Sequence, residues 1–267
     1  MRLRIRADEL LLQKGLAETR SQARALIMAG QVWLGDQRVD KPGQLVPQEA
    51  QLTIIRPPRF VSRGGEKLDH ALTVFGIDVS GLVCADFGAS TGGFTDCLLQ
   101  RGAQRVYAID VGYGQLAYRL RQDPRVVVME RTNVRYLEGL PEPIDLVTID
   151  VSFISLRHVL PAARRVLRPE GWVIALIKPQ FEAGRGQVGK GGIVRDVAVH
   201  REVLERVLAS VMDQGFVVEA LTRSPIVGGE GNVEFLTLLR LDAATSGPAI
   251  EELVASALAT TSIGREA

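Results

Sequence analysis

Residues Leu82-Val83-Cys84-Ala85-Asp86-Phe87-Gly88-Ala89-Ser90-Thr91-Gly92-Gly93-Phe94 decide the fold. The apolar run Leu82–Asp86 reads as a buried strand, and it breaks into a loop of small residues that opens a helix. Small residues there let the backbone pass close to a ligand at a helix N-terminus. The spacing is G-x-x-x-G, from Gly88 to Gly92, not the G-x-G-x-x-G that cradles a pyrophosphate. Outward from this stretch, apolar segments at Arg105–Asp110, Val126–Glu130, Ile144–Asp150 and Gly171–Lys178 alternate with helical ones. That alternation predicts a parallel sheet with helices on both faces. Phe216–Arg223 and Val233–Leu241 flank the turn-rich run from Val227 to Asn232 and predict a closing hairpin, which adds an antiparallel strand.

In an open α/β sheet, reactive groups collect at the carboxyl ends of the strands. Asp110 ends the second strand, placed to accept hydrogen bonds from ribose hydroxyls, and Asn133 follows the third, where it can meet a base edge or cap a turn. Asp150 ends the fourth strand and Lys178 the fifth, whereas Asp145 starts its strand and belongs to the far edge. An ammonium drawn out of water holds its proton less tightly, and a neighbouring carboxylate restores the hold, so a Lys–Asp pair at such an edge suits proton chemistry. The run from Gly184 to Gly192 nearly spells a phosphate-binding loop, but Gly191 stands where a magnesium-binding hydroxyl is needed, and Gly191-Gly192 starts a helix poorly. It reads instead as a flap over the site, with Lys190 as a phosphate contact.

The chain has 267 residues and a formal net charge of +1. Residues 1–60 carry 10 basic and 6 acidic residues, net +4, and residues 61–267 carry 22 and 25, net −3. Near-neutrality therefore hides a basic module beside an acidic one. Arg56-Pro57-Pro58-Arg59 through Gly64-Gly65 reads as the boundary, because paired prolines continue neither a helix nor a central strand. The expected division is 1–58, a linker at 59–66, 67–242, and a tail at 243–267 with no usable signature. In the first half, the stretch from Asp8 to Ala17 is expected to hold a short helix that Gly15 ends, a second helix runs from a Thr19 or Ser21 cap to Gly30, and strands follow at Gln31–Leu34, Arg38–Val39 and Gln51–Ile55. Arg4, Arg6, Lys14, Arg20, Arg24 and Lys41 are expected on helix surfaces and turns of this α+β module.

The order Arg6-x-Asp8-x-x-Leu11-x-x-x-Gly15, Thr19 to Arg24, Gly30-x-Val32 and Val39-x-Lys41-Pro42 resembles the S4 RNA-binding domain. The resemblance implies docking onto structured RNA through those basic residues, which would neutralise phosphates and read shape rather than sequence. In the second half, the glycine loop (Asp86, Gly88, Ala89, Ser90, Thr91, Gly92, Gly93, Phe94) followed by Asp110 resembles the Rossmann-like fold of S-adenosylmethionine (AdoMet) methyltransferases. That implies AdoMet as cofactor, held by these residues and Asn133. Lys67 in Ser62-Arg63-Gly64-Gly65-Glu66-Lys67, Asp150, Lys178 and Glu234 in Gly231-Asn232-Val233-Glu234 resemble the K-D-K-E tetrad of FtsJ-type 2'-O-ribose methyltransferases. With Lys178-Pro179-Gln180-Phe181-Glu182 and Gly191-Gly192-Ile193-Val194-Arg195-Asp196, the chain over residues 3–241 resembles the TlyA family, which methylates cytidine ribose in ribosomal RNA and also carries a hemolysin label. The implied partners are ribosomal RNA or ribosomal subunits.

The resemblance makes chemical sense. A ribose hydroxyl is a weak nucleophile, and Lys178 beside Lys67 would take or stabilise its departing proton charge while Asp150 and Glu234 orient the lysines. Phe153 could stack a flipped nucleotide, although core burial is the commoner role for such a residue; Arg63 and Lys190 would add RNA contacts. Asp150-Val151-Ser152-Phe153 lacks the D-P-P-Y type of segment that holds an exocyclic amine, and carbon-5 methylation needs a thiol that Cys84 and Cys97, in a strand and its following helix, are badly placed to supply. Two cysteines make neither a disulfide framework nor a zinc site, so no metal is expected and a cytoplasmic setting is. The longest charge-free stretch, Leu253–Gly264, has 12 residues, well short of the roughly 20 that span a bilayer. Membrane lysis thus has no support in composition, and an RNA-binding assembly factor without turnover is disfavoured by the intact lysines and acids.

Overall fold

The computed structural model describes residues 3–55, 58–184, 186–241 and 247–259. They fall into two compact units, Met1–Arg59 and Phe60–Ala267.

The small unit runs β1 (Arg4–Arg6), α1 (Ala7–Gln13), α2 (Arg20–Met28), β2 (Val32–Leu34), β3 (Gln37–Arg38), β4 (Leu45–Pro47) and β5 (Leu52–Ile54). Helix α1 stops at Gln13, and Gly15 ends it as its place in the sequence predicts. Gly15, at φ +68°, donates to the Leu12 carbonyl and Leu16 to that of Leu11, which closes the helix in a Schellman turn. The same closure recurs at Gly30, and Thr19 Oγ1 caps the start of α2 by accepting from the Gln22 amide at 3.2 Å. Leu10, Leu11, Ala23 and Ile27 of the helices enclose a small core with Val32, Val39, Val46 and Leu52. Antiparallel β3–β2–β5 forms one sheet, and β1 pairs with β4 in another. The second pair was not expected: Arg4-Ile5-Arg6 has one apolar residue, too few to show a period.

The large unit contains α3 (Gly64–Phe75), β6 (Val83–Phe87), α4 (Gly93–Gln100), β7 (Arg105–Ile109), α5 (Tyr118–Arg121), β8 (Val126–Met129), β9 (Ile144–Ile149), α6 (Leu160–Val166), β10 (Leu167–Ile177), α7 (Pro179–Glu182), α8 (Val197–Met212), β11 (Phe216–Arg223), β12 (Phe235–Leu241) and α9 (Ile250–Ala259). Its seven-stranded sheet has the order β11-β12-β10-β9-β6-β7-β8. The ladders from β10 through β8 are parallel, and β12 lies antiparallel between β10 and β11. The expected α/β sheet with a terminal antiparallel hairpin is therefore present. Alternation along the strands builds two cores. Ala85, Phe87, Val173, Ala175 and Ile177 face α6, α8 and α9, whereas Cys84, Val106, Leu146, Ile174 and Leu176 face α3, α4 and α5.

Two expectations change here. The stretch 59–66 is not a free linker, since Phe60 is buried and α3 opens at Gly64. Its glycines serve close packing: a Cβ on Gly65 would stand 2.2 Å from the Phe60 ring. Pro57 lies outside the described residues. The tail contributes α9, whose Val254 and Ala257 are buried in the first of the two large cores, while residues 242–246 and 260–267 lie outside the described residues. No helix among the described residues is long and apolar enough to cross a membrane.

Candidate active site

The loop after β6 is shaped by contacts that only glycine allows. Gly88 has φ +87°, and a Cβ on it would stand 2.6 Å from the Asp150 carbonyl oxygen. Its amide and that of Ala89 both donate to the Ile109 carbonyl, which ties the loop to the end of β7. Gly92, at φ +98°, fits beneath Leu116 and Leu120. Asp86 behaves differently from the cofactor contact expected of it. Its side chain points into the α3/α4 face and is fully buried, accepting from the Thr95 amide (3.0 Å), Thr95 Oγ1 (2.7 Å) and Thr148 Oγ1 (3.2 Å). Asp86 thus anchors the start of α4 from below the loop, and burial pushes its carboxyl up to about 7.

Three cavities meet at the carboxyl edge of the sheet. The first, about 400 Å³, is lined by Gly88, Ser90, Asp110, Asn133, Asp150 and Phe153 among others. Asp110 accepts from the Ser90 amide at 2.8 Å and the Gly112 amide at 2.6 Å, which fixes its carboxylate at the cavity wall. Asn133 both lines this cavity and caps the next turn, its side chain accepting from the Arg135 amide at 3.1 Å. The second, about 290 Å³, shares Gly88, Ser90, Asp150 and Ser152 with the first and adds Arg63, Lys67, Ala89, Thr91, Gly93, Phe94 and Lys178. The third, about 380 Å³, joins Ser152, Phe153 and Lys178 to Gln180, Asn232 and Glu234.

The four tetrad candidates stand around this junction as two ion pairs. Lys178 Nζ lies 2.7 Å from Asp150 Oδ1 and donates to Ser152 Oγ at 2.9 Å. Lys67, in the first turns of α3, pairs with Glu234, and both are buried. The antiparallel strand explains how a residue so late in the chain reaches the edge. Ile177 of β10 sits opposite Phe235 of β12, so Lys178 leaves one strand where Glu234 enters the other. Asp145, at the opposite end of β9, accepts from the Val83 amide and pairs with Arg168, a structural role at the far edge. Cys84 and Cys97 are both buried, and burial pushes the Cys84 thiol up, which leaves it inert.

The RNA-contact candidates divide. Phe153 is not a core residue: it is 88% exposed, at φ +63°, with its ring centroid 4.7 Å from that of Phe181. Lys190 and Arg63 are exposed, and Arg185 of the flap lies outside the described residues. In the small unit, Lys14, Arg20, Arg24 and Lys41 are exposed on helix surfaces and turns. Arg4 and Arg6 lie on strand β1 instead. Arg6 is partly spent inside the unit, since its guanidinium makes two bonds of 2.9 and 2.8 Å to the buried Asp8 and holds that carboxyl below the usual range. Arg20 reaches the same carboxylate at 3.5 Å, and Arg4 donates to the Leu45 carbonyl at 3.1 Å.

Comparison with known proteins finds a family match in each of the two units. An S4 domain matches residues 5–52 and an FtsJ-like methyltransferase matches residues 60–241. A Mycobacterium tuberculosis protein named 16S/23S rRNA (cytidine-2'-O)-methyltransferase TlyA is 45% identical over 97% of this chain and 98% of its own. The chain belongs to the TlyA family. A second relative, from Brachyspira hyodysenteriae and named Hemolysin A, is 42% identical over 87% of this chain and 98% of its own. A solved structure from Streptococcus thermophilus, titled as a hemolysin, covers 96% of each chain at 47% identity with a TM-score of 0.72.

Several lining residues of this TlyA-family site escaped the sequence reading. Ser152 reaches Lys178, and Asn232 is buried with both ends of its amide bonded, to the Gly192 carbonyl and the Val194 amide. Gln115, Thr132 and Arg135 line the first cavity. These polar residues sit in irregular segments without periodicity. The available signal was their closeness in sequence to Asp150, Glu234 and Asp110.

Proposed function

We propose that this chain transfers a methyl group from AdoMet to the 2'-hydroxyl of a cytidine ribose in ribosomal RNA, acting on ribosomal subunits in the cytoplasm. The observation that carries the reading is the junction of cavities, where the paired Lys178 lines both the second and the third while its partner Asp150 also lines the first. The first cavity suits AdoMet on its own chemistry. Gly88 lets the loop pack directly against the Asp150 backbone at the cavity wall, and Asp110 keeps carboxylate lone pairs for ribose hydroxyls beyond the two backbone amides from which it accepts. Gly88, Ser90, Asp110 and Asn133 would hold the cofactor. Bound there, AdoMet supplies an activated methyl that needs in-line positioning against its acceptor.

The chain's own residues do the rest. As an ammonium, Lys178 Nζ stabilises the negative charge that develops on the attacking oxygen, while the hydroxyl's proton leaves to water as the methyl arrives. Asp150 and Ser152 fix the position of that ammonium, and the Lys67–Glu234 pair fixes the opposite wall without adding net charge. Phe153, exposed at the rim, stacks on RNA, and the exposed cations of the small unit bind phosphates. The test is methyl transfer from labelled AdoMet into isolated small and large ribosomal subunits. Label in an alkali-resistant site at cytidine supports the reading, and absence of RNA labelling contradicts it.

A further inference from the structure

The flap borders the third cavity at two places, Val188 and Gly192. Between them the chain makes a β-turn, in which the Gly192 amide donates to the Gly189 carbonyl at 3.1 Å. Lys190 and Gly191 form its centre, and Gly191, at φ +79°, stands where such a turn calls for glycine. The Gly189 amide donates to the Ile193 carbonyl at 3.0 Å and closes the loop below the turn. Lys190 is exposed, and its ammonium meets no partner among the described residues. Its flanking residues put it at the rim of the cavity that Lys178 and Glu234 also line.

A turn with glycine at 189, 191 and 192 has little stiffness of its own. Its position is set from beneath. Asn232 grips the returning limb with both ends of its amide: Nδ2 donates to the Gly192 carbonyl at 3.0 Å, and Oδ1 accepts from the Val194 amide at 3.1 Å. A ring nitrogen of His200 lies 3.1 Å from the Val194 carbonyl, which makes that nitrogen the donor. Asn232, Val194 and His200 are all buried, so water does not compete for these bonds. Asn232 also precedes Glu234 by two residues, which ties the turn to the wall of the site.

We propose that Asn232 is a positioning residue for RNA, holding the flap so that Lys190 meets a phosphate of the strand whose nucleotide enters the third cavity. The inference rests on the RNA methylation proposed above. A nucleotide with its ribose at Lys178 carries a phosphate on either side, and the strand leaves the cavity across its rim. The contact neutralises one phosphate and reads no base, so it sets grip and register rather than sequence. Without the Asn232 bonds, binding would have to order the turn each time, which costs affinity.

The experiment measures binding of the full chain to isolated ribosomal subunits over a range of monovalent salt at fixed magnesium. It compares the wild type, Lys190→Ala, Asn232→Ala and the double variant. Each single change should weaken binding several-fold and lower the slope of log affinity against log salt by about 1. The double variant should resemble the weaker single variant, because both changes remove the same contact. A purely structural Asn232 would leave the slope intact, or its loss would add to that of Lys190→Ala. AdoMet binding by calorimetry checks that each variant is folded; if Asn232→Ala fails it, Asn232→Ser, which can keep at most one of the two bonds, takes its place. An unchanged slope in either single variant, or losses that add in the double, overturns the positioning role and leaves ribose methylation standing. Wild-type protein that neither binds the subunits nor forms 2'-O-methyl product overturns the underlying reading as well.

Discussion

Lys67 and Glu234 stand 167 residues apart in the chain and meet as a buried ion pair at the carboxyl edge of the sheet. They are 8% and 3% exposed, so neither charge has water to fall back on. Removing one partner strands the other, which costs roughly 3–5 kcal/mol. Glu234→Gln should therefore lower stability by that order as well as activity. Combining it with Lys67→Met should cost less than the two single changes added together, because the second removes the stranded charge. Urea unfolding of the two single variants and the double variant checks this, and strict additivity would show that the pair does not couple.

Lys178 belongs to the other pair, and its proposed task is chemical. Lys178→Ala should reduce methyl transfer by about 10²–10³-fold, the usual worth of a group that stabilises developing charge. Affinity for AdoMet and for RNA should stay within a few-fold of wild type. Single-turnover kinetics beside equilibrium binding separates the two effects, and near-wild-type turnover would remove Lys178 from the mechanism.

Asp86 makes stability depend on pH in a direction unusual for a carboxyl. Its folded-state value of about 7 lies above the roughly 3.9 of a free aspartate, so the folded chain holds the proton more tightly. The stability from that difference is complete below about pH 4 and is lost as pH rises through about 7. Asp86→Asn stays neutral and keeps a polar group for Thr95 and Thr148. Its stability should decline less than that of wild type between pH 5 and 8, as chemical denaturation across that range would reveal. Equal slopes would mean that the carboxylate is already charged and fully satisfied by its hydroxyl and amide donors.

The small unit offers a salt test. Lys14, Arg24 and Lys41 are exposed and available for phosphates. Replacing all three by alanine should weaken RNA binding and reduce the slope of log affinity against log salt by roughly 2 to 3. AdoMet affinity should not move. A slope unchanged by the triple substitution would place the RNA grip elsewhere.

Much of this architecture is legible before any coordinates, and the gaps have physical causes. The strands from Leu82 to Lys178 announce themselves as apolar runs ending in Asp, Glu or Lys, because a sheet covered on both faces tolerates polar groups mainly at its edge. Lys178 and Asp150 follow from that rule alone. Lys67 and Glu234 do not, since their meeting depends on an antiparallel strand inserted beside β10, and only the resemblance to a known tetrad named them in advance. Gly64-Gly65 reads as flexible, yet glycine also permits close packing, and the neighbour that decides between these roles is Phe60. Asp86 reads as a strand-end acid facing a ligand, but it stands one residue before the strand ends and points to the helical face. For Phe153 the sequence leaves stacking and core burial both open, because aromatic residues are usually buried, and its exposure becomes visible only in the turn that holds it at positive φ.

The central claim is that the methyl group arrives on a ribose oxygen of cytidine. Nucleoside mass spectrometry of ribosomal subunits incubated with the purified protein and AdoMet tests it most directly, because fragmentation separates a methyl on the sugar from one on the base. The account predicts 2'-O-methylcytidine, formed by the wild-type protein and lost in Lys178→Ala. A methyl carried on the base, or label confined to protein, would contradict it.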